Sequence, residues 1–136
     1  LYSYLEKHHK YLINLPLIIY WIILFVLTTL PGNEALNIGV NDKIEHFGAY
    51  GVLSAILYLN LLFQEKYPLY KKYPATFTLV VASLYGMVDE LHQIFVPGRT
   101  ADIRDWLADF LGSVLGVLII KFILIKLKQI EGNKVL

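Results

Sequence analysis

Four apolar runs, at 11–30, 43–63, 75–96 and 103–125, constrain this chain more than any other feature. Each has about 20 residues, which at roughly 1.5 Å per residue is enough for one helix to cross about 30 Å of hydrocarbon. Only 17% of the residues are charged and 57% are hydrophobic, whereas soluble domains carry about 25% charge. The chain therefore reads as an all-α integral membrane protein, a single domain of four transmembrane helices in an antiparallel bundle. The first run is too long for a signal peptide and lacks a small-residue cleavage site, so it reads as a mature span. There is no cysteine, which rules out disulfides and thiolate metal ligation.

The breaks between the runs have turn chemistry. Pro16 lies near the start of the first span, where a proline is least disruptive, and Pro31-Gly32 ends that span. Asp42 stands where a helix cap is wanted, and Asp42, His46 and Tyr50 then form an i, i+4, i+8 line on one face of the second span. In the third span Tyr85, Asp89 and Gln93 align in the same way, flanked by Glu90 and His92, before Pro97-Gly98 stops the helix. The next turn is a few residues long and makes a hairpin of spans three and four. Thr100 or Asp102 caps the fourth span. Asp102, Asp105, Asp109, Gly112 and Gly116 then put one face of carboxylates above a groove of glycines, a pattern of close helix packing in membranes. Trp106, Tyr67, Tyr70 and Tyr73 read as anchors at the membrane interface.

Orientation is set by the basic residues. Lys7, Lys10, Lys66, Lys71, Lys72, Lys121, Lys126, Lys128 and Lys134 fall on one side, and only Lys43, Arg99 and Arg104 on the other. The positive-inside rule then puts both termini in the cytoplasm. Most acids divide the opposite way: Glu34, Asp42, Glu45, Asp89, Glu90, Asp102, Asp105 and Asp109 belong to the outer half.

An Asp at mid-bilayer costs roughly 2.5–3.5 kcal/mol on insertion scales, so Asp89 and Glu90 must face the bundle interior or water. Arg99, Arg104, Lys43 and His46 are the cations available to offset them. A polar cluster joining the outer ends of spans two, three and four is expected. Such a cluster supports three chemistries: a divalent metal that activates water, acid–base work on a lipid ester or phosphoester with an arginine clamp, or binding of a headgroup without reaction. A latch that only holds the helices together is the structural alternative. No spacing matches a specific motif such as HExxH.

The segments DKIEHFGAY (42–50) and YGMVDELHQIFVPGR (85–99), with Asp105, Asp109, Gly112 and Gly116 after them, resemble the VanZ-like family over roughly residues 42–117. The resemblance places family signature residues at Asp42, Lys43, His46, Phe47, Tyr50, Asp89, Glu90, Gln93, Arg99, Asp105 and Gly112. Asp109 departs from the Asn that better-known members often have there. The resemblance implies a bacterial inner-membrane protein, linked through one member to low-level resistance to the lipoglycopeptide teicoplanin, with no settled reaction. On this reading Asp89, Glu90 and His46 are the candidate catalytic or metal-binding groups. Asp42, Lys43, Tyr50, Gln93, Arg99, Arg104, Asp105 and Asp109 bind the substrate, a membrane lipid, a lipid-linked envelope precursor or the lipoglycopeptide. No nucleic-acid partner is expected, and the oligomeric state is left open.

Overall fold

The computed structural model describes residues 1–32 and 41–132, and among these every regular element is helical. The helices are α1 (Tyr2–Lys7), α2 (Leu15–Thr29), α3 (Asp42–Phe63), α4 (Pro68–Lys72), α5 (Pro74–Gln93) and α6 (Ile103–Gly132). Glu34 and Lys134 lie outside the described residues. Three helical stretches, Lys10–Thr29, Asp42–Phe63 and Ile103–Gly132, are long and apolar enough to cross a membrane. The chain is an all-helical membrane protein.

Several boundaries differ from those expected, each for a local reason. The first span begins at Lys10, and a π-helical turn over Lys10–Asn14 leads into α2. Proline lacks an N–H and its ring crowds the carbonyl four residues back, so the wide turn ahead of Pro16 absorbs the conflict. Asn41, not Asp42, caps α3: its side chain accepts from the Lys43 N–H at 3.0 Å, while Asp42 and Glu45 occupy the first turn, where the helix dipole favours acids. α5 ends at Gln93 rather than residue 96, because tight turns from Val96 N–H to the Gln93 carbonyl and from Arg99 N–H to the Val96 carbonyl take over. Gly98 in those turns has φ +74, a conformation glycine adopts freely. α6 is capped by Asp102 as anticipated, with the Arg104 N–H donating to it at 2.9 Å. It continues to Gly132, where Glu131 accepts from the Tyr2 N–H at 2.8 Å and ties down α1.

α3 and α6 make the closest contact in the molecule. Gly112 lies against the Phe47 carbonyl and Gly116 against the Gly51 carbonyl, so a Cβ at either glycine would collide with backbone that has nowhere to go. Below this contact, Leu17, Leu24, Leu53, Leu57 and Ala82 form an apolar core. Asn60 donates to Asn14 at 3.0 Å, and Tyr20 donates to the Ala49 carbonyl at 3.0 Å, joining α2 to α3. The outside is apolar and the inside holds the polar groups: Ile18, Ile22, Val88 and Leu118 are exposed, whereas Asp89, Glu90, Gln93, Asp105 and Asp109 are buried. That inversion suits hydrocarbon as the surrounding medium.

The glycine contact yields a direct expectation. Gly112→Leu and Gly116→Leu should lower the melting temperature in detergent, with overpacking against rigid backbone costing about 3 kcal/mol or more. Gly48→Ala, where an added Cβ meets nothing within 4 Å, should melt at or above the wild type, since alanine favours a helix by about 1 kcal/mol over glycine. Equal melting of all three variants would contradict the packing described.

Candidate functional site

The site grows out of the α3–α6 contact. With those backbones pressed together, His46 Nδ1 lies 2.9 Å from Asp109 Oδ1, and Lys43 Nζ lies 2.8 Å from Asp105 and 3.3 Å from Asp102. Asp109 has no exposed surface. Its carboxylate fits because residue 86 is glycine, where a Cβ would come within 2.9 Å of Asp109 Oδ2 and 3.3 Å of the Tyr50 ring. Gly86 reads from sequence as packing, and here the packing makes room for a site group.

Asp89 and Glu90 are adjacent in sequence but serve different walls. Asp89 lines a cavity of about 110 Å³ together with Thr28, Glu45, His46, Tyr50, Gln93 and Arg99. Glu90 turns toward α6, where its Oε2 accepts from the Asp102 N–H at 2.8 Å. Asp89 Oδ2, Glu90 Oε1, Asp109 Oδ2, Tyr50 OH and Gln93 Nε2 are buried without a hydrogen-bond partner among the described residues. Ligating atoms of His46, Glu90 and Asp109 all lie within 4.8 Å of one another, as do those of Asp42, His46 and Asp105. The first trio is the better cation site: Glu90 and Asp109 are buried, whereas Asp42 is exposed and Asp105 already has Lys43.

The cations are disposed otherwise than the sequence suggests. Lys43 pairs with Asp102 and Asp105, not with Asp89 or Glu90. Arg104 sits 3.4 Å from Asp102 with its side chain 75% exposed, outside the cavity. Arg99 lines the cavity, but its Nε and Nη2 donate to the Leu30 and Leu27 carbonyls, each at 3.3 Å, and so close the end of α2. Through Leu24, Leu27 and Thr28, α2 thus supplies a wall that the three-helix expectation omits. Only Thr28, a hydroxyl at the end of an apolar run, could have signalled this. The indole N–H of Trp106 donates to the Ser83 carbonyl at 3.0 Å, tying α6 to α5. His92 stays apart from the cluster, stacked on Phe25.

At the edge of the site, the Arg104 N–H that Asp102 caps, and after it Lys43, hold the Asp102 carboxyl below the usual range. A depressed folded-state pKa stabilises the fold above the ordinary Asp value and loses that contribution as pH falls through the lower one. The melting difference between wild type and Asp102→Asn should therefore be constant above about pH 5 and close below about 3.9. A pH-independent difference would contradict this. Lys43→Met, which leaves Asp105 buried without its cation, should lower the melting temperature. Arg104→Ala should stay within about 0.5 kcal/mol.

No curated protein and no solved structure matches the chain. The sequence model of the VanZ/LLP1 family matches residues 9–125, which takes in α2, α3 and α5, most of α6, and with them every group lining the site. The resemblance carried by residues 42–50 and 85–99 thus extends across nearly the whole chain, and the protein belongs to the VanZ/LLP1 family.

Proposed function

We propose that the chain crosses the bacterial inner membrane four times as an antiparallel bundle, with both termini cytoplasmic and the site opening at the outer face. α5 supplies the fourth span, its 20 residues reaching about 30 Å. The pairing of Tyr2 with Glu131 and of Asn14 with Asn60 at one end, and of Lys43 with Asp105 and Arg99 with Leu30 at the other, supports that arrangement. The distribution of lysines supports the orientation.

The site binds and hydrolyses a phosphate-bearing headgroup of an outer-leaflet lipid or lipid-linked envelope precursor. One observation carries this reading: three buried carboxylates, Asp89, Glu90 and Asp109, lie around His46, with Arg99 on the cavity wall beside Asp89, and each keeps an oxygen without a partner among the described residues. Uncompensated acid in so dry a place is costly, and a divalent cation between His46, Glu90 and Asp109 removes the imbalance. A cation held by His46, Glu90 and Asp109 would supply Lewis-acid chemistry toward water and a phosphoryl oxygen. Asp89, on the cavity wall, takes up the proton of the attacking water as the P–O bond to the leaving oxygen breaks, and returns that proton to the leaving oxygen. Arg99 and Gln93 orient the anionic headgroup, Tyr50 donates a hydrogen bond to it, and Asp42 and Arg104 stand at the rim. Lys43 and Asp105 hold α3 and α6 in register. A change in headgroup composition outside the cell would account for the family's link to teicoplanin.

The second reading is a latch, favoured by the direct His46–Asp109 and Lys43–Asp105 pairs. Purified protein in nanodiscs, given lipid phosphates and Mn²⁺ or Mg²⁺, should release phosphate detectable by mass spectrometry. Glu90→Gln keeps an oxygen for the Asp102 N–H but loses the anionic ligand, and Asp89→Asn loses the base. Each should cut turnover at least about 100-fold with melting little changed. Stoichiometric lipid binding without product would defeat the enzyme reading, and misfolding of both variants would favour the latch.

A further inference from the structure

The floor of the polar cluster has a second approach, from the hydrocarbon side. Met87, Leu91, Ile103 and Trp106 enclose an apolar hollow of about 350 Å³ between α5 and α6, with Glu90 and Asp102 at its base. Farther along the same two helices a second hollow of about 510 Å³ is walled by Leu79, Val80, Leu84 and Phe110. Trp106 and Phe110 stack at 6.4 Å between the two hollows. The single polar atom of Trp106 is bonded to the Ser83 carbonyl, so its ring presents only apolar surface. Together the hollows track α5 from Leu91 back to Ala75, about 24 Å at the helical rise.

Apolar contact alone would not single out this furrow, because lipid tails are as apolar as its walls. Glu90 does. It is 7% exposed, its Oε1 has no partner among the described residues, and it belongs both to this hollow and to the trio with His46 and Asp109. A carboxylate oxygen at the base of such a hollow is costly unless a cation joins it, and a phosphate arriving through the hollow would meet that cation rather than bare carboxylate. The cavity lined by Asp89 and Arg99 opens between α2, α3 and α5, on another wall.

We infer that the α5–α6 furrow is a lateral entry and tail subsite, in which one hydrocarbon chain of the lipid phosphate lies against Met87, Leu91 and Trp106 while its headgroup reaches Glu90. The inference rests on the lipid-phosphate reading above. The cavity beside Asp89, where Arg99, Gln93 and Tyr50 hold the headgroup, is then also the water-side door, and Met87, Leu91 and Trp106 set which chains are accepted.

A lipid phosphate carrying a diazirine midway along its chain, added to full-length protein in nanodiscs and photolysed, tests this without turnover. Label should be at least tenfold denser on the peptides carrying Leu79 to Leu91 and Trp106 to Phe110 than on α2. Met87→Trp, which fills the hollow, should lower it about tenfold, and Ile18→Trp, on the exposed face of α2, should not. Even labelling of α2, α5 and α6, or labelling indifferent to Met87→Trp, overturns the furrow even if phosphate is released. Furrow labelling without phosphate release supports the furrow and defeats the hydrolysis reading alone.

Discussion

The site depends on one contact, the seating of Gly112 and Gly116 of α6 against the Phe47 and Gly51 carbonyls of α3. In hydrocarbon no hydrophobic force drives helices together, so close backbone approach and van der Waals packing must do it, and glycine is the residue that permits both. The same contact fixes the offset between the helices. One turn toward the start of α6 it sets His46 opposite Asp109, and one turn farther it sets Lys43 opposite Asp105. Packing and chemistry are read from a single helix face.

Within that register, charge balance decides how the polar groups are shared out. Lys43 is taken by Asp102 and Asp105, and Arg99 is half engaged by the carbonyls that end α2. The acids deeper in the bundle are left with His46 and the free edge of Arg99. A latch built for stability alone would have matched these charges or used neutral groups, since unpaired buried charge is among the most destabilising features a fold can carry. Retaining the excess acid makes sense for a cluster that takes up a cation. The open carboxylate oxygens of Asp89, on the cavity side, and Glu90, on the furrow side, let such a centre meet water from one wall and lipid from another.

Much of the bundle was legible in residue spacing. The steps of three and four from Asp102 to Gly116 put carboxylates and glycines on one face, and they do share it. Asp42, His46 and Tyr50 line one side of α3, and the Asp102 cap falls where it was expected. Contacts set by tight turns were not legible. The path of residues 94–99 ties Arg99 to the end of α2 as well as bringing it to the cavity wall, and no periodicity reports that. Nor does spacing separate Asp89 from Glu90: the helix points them about 100° apart, and only the positions of α2 and α6 say what each meets. Nothing in the spacing of Gly86 reports that it makes room for the Asp109 carboxylate.

The hydrolysis proposed for this site requires His46, Glu90 and Asp109 to hold a divalent cation together. Pulsed electron paramagnetic resonance of the purified protein titrated with Mn²⁺ tests it most directly. One tightly bound ion per chain, with a nitrogen coupling from an imidazole that disappears in His46→Gln, is the predicted result. Mn²⁺ that shows no nitrogen coupling, or that binds equally well when His46 is replaced, would contradict it.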